Sequence, residues 1–188
     1  MAAASPARRS AQTALHAILD ALVRLYAPVL VHTCEEVWDR LTLDGKEPSV
    51  HLARWPTVDE SWVNPALAAD YARLLEVRTE VTRALELLRQ SGAIGRSLDA
   101  RVRVHAADGG LAMLLAAADL EELFIVSDVT LEPDPDDLPV SGVTGLRVAA
   151  EPVPYPRCER CWARRASVGT DPDRPGLCAR CIETLRSA

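Results

Sequence analysis

The feature that most restricts this chain is the segment PRCERCWARRASVGTDPDRPGLCARCIETL, where four of the five cysteines form two Cys-x-x-Cys pairs separated by 16 residues. Three chemistries use such a pattern: a disulfide staple, a redox dithiol and a four-thiolate metal site. Staples serve small chains in oxidising compartments that cannot bury an adequate core. A chain of 188 residues with 48% apolar content does not need one. A redox pair should open a helix directly after a strand in a βαβ pattern, and neither pair has that setting in the sequence. The spacing of Cys158, Cys161, Cys178 and Cys181 matches the C-x2-C, spacer, C-x2-C form of a structural zinc site. Each short gap lets a tight turn aim two sulfurs inward, and Gly176 suits such a turn. Four protein ligands leave no position for water, so the expectation is one structural Zn2+ and no metal catalysis. Cys34 lies on an apolar helical stretch and reads as an inert core residue.

Apolar residues recur at Leu15, Ile18, Leu19, Leu22 and Leu25, which is one face of a helix that Pro28 closes. Thr33 followed by Glu36 suggests a capping box for a second helix with Val37, Trp38 and Leu41 inside. SVHLARWP reads as a short extended segment, against which Trp55 and Trp62 are expected to pack. Asn64 and Pro65 start the longest helix, with Leu67, Tyr71, Leu74, Val81, Leu85 and Leu88 on one face and Gly92 at its end. The period then changes. ARVRVHA alternates as a strand, GGLAMLLAAADLEEL is helical, and FIVSDVTLE and GLRVAAE are further strands. EPDPDDLPVSGVTG reads as an exposed loop, and EPVPYP separates the small α+β unit from the cysteines.

The net charge of −6 argues against a protein coated in nucleic acid, but the charge is unevenly spread. Residues 157–188 carry seven arginines against four acids, whereas residues 1–156 carry 14 basic and 23 acidic side chains. One reading has Arg157, Arg160, Arg164, Arg165 and Arg180 contacting RNA phosphates, with Trp162 offering an aromatic face to a base. The other has the arginines offsetting the −2 charge of a zinc held by four thiolates. No Gly-rich phosphate loop is present, and His16, His32, His51 and His105 are dispersed without a paired nucleophile, so no catalytic residue is assigned. No run approaches the roughly 20 apolar residues that span a bilayer. The first residues lack the apolar segment of a secretion signal, so the expected location is cytoplasmic, with no membrane partner.

RRSAQTALHAILDALVRLYAPVLVHTCEEVWDRL, SVHLARWP, VTRALELLRQSGAIGRSLDARV and CERCW…GLCARC together resemble the C-terminal region of bacterial isoleucyl-tRNA synthetases. The resemblance implies a mainly α fold with a small α+β unit. Its parts are the end of a helical anticodon-binding-type domain (1–91), a small mixed domain (92–152) and a four-cysteine zinc finger (153–188). It places Cys158, Cys161, Cys178 and Cys181 on the family's zinc ligands, and Trp162 on the tryptophan after the second ligand. The implied partner is tRNA(Ile), together with a catalytic part of the same synthetase. The family's ATP-using signatures and editing domain have no counterpart in these residues, so activation of isoleucine belongs to the parent enzyme. The first helices are then expected to lack the bundle neighbours they would normally pack against. Two rivals use a similar finger: a DNA-binding module of the formamidopyrimidine glycosylase type, and a zinc-stabilised protein-interaction module.

Overall fold

Ser5 caps the first helix by accepting from the Arg8 amide, and Pro6 sits where its missing N–H costs nothing. The structure, a computed structural model, describes residues 5–186. Helix α1 (Pro6–Tyr26) is followed by α2 (Val31–Arg40). Their shared core consists of Val23, Ala27, Cys34, Trp38, Leu41 and Val50. The Trp38 indole donates to the Glu47 carbonyl, and the Lys46 ammonium donates to the carbonyls of Trp38 and Leu41. The chain's only lysine thus satisfies the open carbonyl end of α2. Glu35 accepts from Ser49 Oγ and the Val50 amide, which fastens the following segment to the same helix.

Three local expectations fail in this region. Helix α2 begins at Val31, with Leu30 as its cap and no side-chain capping bond, so Thr33 lies inside the helix and forms no capping box. The turn after Pro28 lets the chain enter the helix early, with the Cys34 amide already bonded to the Leu30 carbonyl. Residues Val50–Leu52 form a 3-10 turn and not an extended segment, because Ser49 caps the turn by accepting from the His51 amide. Trp55 and Trp62 are exposed. Of the α1 stripe, Leu15, Ile18, Leu19, Leu22 and Leu25 are all exposed, and only Val23 of that helix is buried.

Helix α3 (Pro65–Gln90) starts at Asn64, whose side chain accepts from the Leu67 amide, and ends before Gly92 at φ 77°. Leu67 and Tyr71 in its first turns are exposed, and burial begins at Leu74. From there Val77, Val81 and Leu85 pack on a three-stranded sheet of β1 (Ala100–Ala106), β2 (Asp128–Leu131) and β3 (Leu146–Pro152). The strand order is β2-β1-β3, with β1 parallel to β2 and antiparallel to β3. The parallel pair requires a crossover, supplied by α4 (Gly109–Ala117) and α5 (Leu120–Phe124). Val102 and Val104 of β1, Leu115 of α4, Phe124 of α5 and Leu146 of β3 join the same core. The strand expected from Phe124 onwards is shorter, since Phe124 still belongs to α5 and Ile125 caps that helix in the left-handed region at φ 58°.

The acidic loop after β2 is tied down more firmly than its composition suggests. Glu80 on α3, only 9% exposed, accepts from the Gly142 amide at 2.8 Å and pairs with Arg83 at 2.6 Å. A Cβ at position 142 would stand 3.0–3.3 Å from those two side chains, which explains glycine there. Leu138 in the same loop is buried. The described chain divides into one unit running to Val63 that also takes in residues 184–186, and a second from Asn64 to Glu183. Helix α3 shares its core with the sheet. No helix among the described residues is long and apolar enough to cross a membrane.

Candidate metal centre and its arginine surround

The two cysteine pairs are presented by different local structures. Cys158 and Cys161 lie on a tight hairpin closed by bonds from the Cys158 amide to the Ala163 carbonyl and from the Trp162 amide to the Cys158 carbonyl, each 2.9 Å. That reversal places Trp162 at φ 66°, a left-handed conformation that is uncommon for a bulky residue. Cys178 and Cys181 instead sit on the first turn of α6 (Ala179–Arg186), whose Cys181 and Ile182 amides both bond to the Cys178 carbonyl. The second pair does open a helix, but no strand leads into it and its sulfurs face the first pair.

All four Sγ atoms lie within 4.8 Å of one another. Zinc–sulfur bonds of about 2.3 Å in a tetrahedron require sulfurs about 3.8 Å apart, and Cys161 and Cys178 are separated by 3.8 Å. The donor set therefore fits a tetrahedral thiolate metal. Cys158, Cys178 and Cys181 are buried, and Cys161 is partly so. Burial would raise the Cys158 thiol, yet the amides of Cys161, Cys178 and Arg160 hold it down at about 6. Burial pushes Cys178 up to about 12. One thiolate is thus favoured by backbone donors, while a bound cation would favour ionisation of the others. Gly176 lies in the turn expected of it, closed by the Leu177 amide on the Arg174 carbonyl; its own carbonyl also accepts from the Glu159 amide, and an added Cβ would collide with the Glu159 carboxyl group at 2.4–2.7 Å.

Two comparisons bear on this arrangement. Residues 1–104 match the family described as the anticodon-binding domain of tRNA ligase, which is more than half of the sequence. The chain belongs to that family. Residues 156–184, which include all four cysteines, match a zinc finger found in FPG and IleRS. Among curated proteins, the isoleucine-tRNA ligase of Syntrophotalea carbinolica is 44% identical over 184 residues, covering 96% of this chain and 20% of that protein. Those of Geobacter sulfurreducens and Syntrophomonas wolfei are 40% and 39% identical over 97% and 95% of this chain, again at 20% of their own lengths. The chain is thus similar, over nearly its whole length, to the C-terminal anticodon-binding and zinc-finger region of isoleucine-tRNA ligases, and it spans one fifth of the length of these relatives.

The six residues expected from sequence to meet RNA fall into three settings. Arg164 donates through Nε to Asp99 at 2.7 Å and through a terminal nitrogen to the Tyr155 carbonyl, while its amide donates to Ser127 Oγ. Arg165 pairs in bidentate fashion with Glu121. Ser127 is fully buried and donates in turn to the Leu98 carbonyl at 2.6 Å, so these bonds connect the cysteine hairpin to the sheet unit. Arg160 and Arg180 face the cysteines, through contacts with the sulfurs of Cys181 and Cys161 respectively. Arg157 and Trp162 form the third setting: both are exposed, and the Arg157 guanidinium lies 5.4 Å from the indole centroid. Arg96, which sequence reasoning did not select, lies over the same ring at 4.7 Å. It stands within the IGRSLDA motif that carries the resemblance, but no feature of its local sequence marks it as a partner of Trp162.

Proposed function

We propose that this chain is the tRNA-binding, zinc-bearing part of an isoleucine-tRNA ligase, acting on tRNA(Ile) in the cytoplasm. One structural Zn2+ would be held by Cys158, Cys161, Cys178 and Cys181. The observation that carries the reading is the convergence of these four sulfurs in a chain whose first 104 residues match an anticodon-binding domain. Arg160 and Arg180 offset the negative charge of the thiolates. Arg164 and Arg165 secure the finger through carboxylates, which leaves Arg157 and Trp162 as the RNA-facing members of the set. ATP-dependent attachment of isoleucine belongs to the catalytic part of such a ligase, either in the same protein or as a separate partner.

The test combines metal analysis with binding. The purified chain should contain about one zinc and should retain a tRNA(Ile) transcript on a filter at low salt in preference to duplex DNA of equal length. Preference for the duplex would favour the glycosylase-type module. Binding to neither nucleic acid, with zinc present, would favour a protein-interaction module. The chain alone should not exchange pyrophosphate into ATP in the presence of isoleucine, and a rate well above that of a mock purification would refute this assignment.

A further inference from the structure

The exposed side of the cysteine hairpin holds a group of residues that neither the four sulfurs nor the ion pairs explain. Trp162 is 49% exposed and is kept in its left-handed conformation by the hairpin that carries Cys158 and Cys161. Two guanidinium groups converge on its ring, that of Arg96 at 4.7 Å and that of Arg157 at 5.4 Å. They arrive from separate parts of the second unit. Arg157 precedes Cys158 and bridges to Arg164 across the hairpin. Arg96 precedes the 3-10 turn Ser97–Asp99, and its amide donates to the same Asp99 carboxylate that receives Arg164.

Several arginines of the unit, Arg78 and Arg174 included, have no salt bridge among the described residues, but only Arg96 and Arg157 share an aromatic ring, which sets them apart from the ion-paired ones. Arg101, Arg103, Arg164 and Arg165 each meet a carboxylate within hydrogen-bond distance. Among the described residues neither Arg96 nor Arg157 forms a salt bridge, and both are exposed. An aromatic face attracts and orients a guanidinium but leaves its positive charge and its forked donors available. Two like charges gathered at one ring repel each other, and a shared anion would relieve that repulsion. A ring already in contact with two guanidiniums also has less open face to offer a base.

We infer that Arg96, Trp162 and Arg157 form a seat for a backbone phosphate of RNA, in which the indole positions the two guanidiniums and does not itself stack on a base. The inference rests on the tRNA-binding reading above and adds to it a contact residue, Arg96, and a positioning role for Trp162. The forked donors of the two arginines suit the oxygens of a phosphodiester.

The test is the salt dependence of binding of a tRNA(Ile) transcript by the full, zinc-loaded chain, plotted as log affinity against log salt. Each guanidinium that neutralises a phosphate contributes about 0.7–0.9 to the slope. Arg96→Gln and Arg157→Gln should each lower the slope by about that amount, and Arg96→Lys should restore most of it. Trp162→Leu should lower the slope as well, because both guanidiniums lose their support. An unchanged slope in folded, zinc-loaded Arg96→Gln overturns the inference, and so does a Trp162→Leu protein with reduced affinity but the wild-type slope, the signature of base stacking. Should Arg96→Gln fail to fold, Arg157→Gln applies the same criterion at a position outside the 3-10 turn. Failure of the wild-type chain to bind the transcript at low salt would instead refute the tRNA-binding reading, so the two failures are distinguishable.

Discussion

Six buried side chains, Trp38 among them, hold the first unit together, whereas fifteen buried side chains join α3, the crossover helices and the sheet in the second. The first unit leaves Leu15, Ile18, Leu19, Leu22 and Leu25 exposed along α1, while the second adds ion pairs and a buried hydroxyl that connect the cysteine hairpin to the sheet. The stability of the first unit therefore depends on a few contacts around one indole, and it presents an apolar stripe of the kind that marks an interaction surface. In the second unit the load is spread over a layered core, to which the four-cysteine cluster adds a local constraint.

The strongest way to break this comparison is to remove the metal. Structural zinc contributes about 10–16 kcal/mol in isolated finger peptides, so chelation should unfold the cysteine segment while the helices and sheet retain their circular dichroism. The Cys158→Ser, Cys178→Ser double variant should lose zinc by elemental analysis, and full occupancy in that variant would refute the ligand assignment. Next comes Trp38→Ala, which removes the centre of the smaller core and its bond to Glu47, at a cost of about 3–5 kcal/mol. Hydrogen exchange should then show deprotection of α1 and α2 with α3 and β1 still protected. Simultaneous loss of protection in both units would mean that they do not melt independently.

A smaller effect is expected at the apolar stripe. Each large side chain left in water forgoes about 1.5–3 kcal/mol of burial, which favours self-association of the isolated chain. Replacing Leu15, Ile18 and Leu22 together by glutamine should shift sedimentation towards monomer, and a wild-type chain that is monomeric over a wide concentration range would remove the argument. The smallest effect concerns Asp99. Burial alone would raise its carboxyl pKa, but Arg164 and the Arg96 amide hold it below the ordinary value of 3.8. A depressed carboxylate contributes stability above its unfolded pKa and loses it as pH falls through the folded value. The wild type should thus lose stability relative to Asp99→Asn only below about pH 4, by about 1 kcal/mol for a partly exposed pair. Thermal melts from pH 6 down to pH 3 would check both the sign and the window.

Much of this organisation is written locally. Helix α3 could be read from Asn64, Pro65 and the spacing of its leucines, β1 from the alternation in ARVRVHA, and the four-sulfur cluster from two short gaps and a spacer. Such signals survive in one dimension because helix period, strand period and ligand spacing involve residues a few positions apart. Local reading failed where a competing turn started a helix earlier or where burial did not follow. Thr33 looked like a cap but lies inside α2, and Trp55 and Trp62 looked like packing residues yet face solvent.

Tertiary structure alone decided the work of the arginines. Arg164 and Asp99 are 65 residues apart and Arg165 and Glu121 are 44 apart, so nothing in the sequence distinguishes these guanidiniums from Arg157 on the opposite side of the hairpin. The same holds for Arg96 over Trp162 and for Glu80 beneath Gly142. A guanidinium has one charge and one local propensity wherever it stands. Whether it closes an ion pair, faces a thiol or remains available to an anion is set by which carboxylate, sulfur or ring the folded backbone brings within a few ångströms, because charge pairing depends on distance in space and not on separation along the chain.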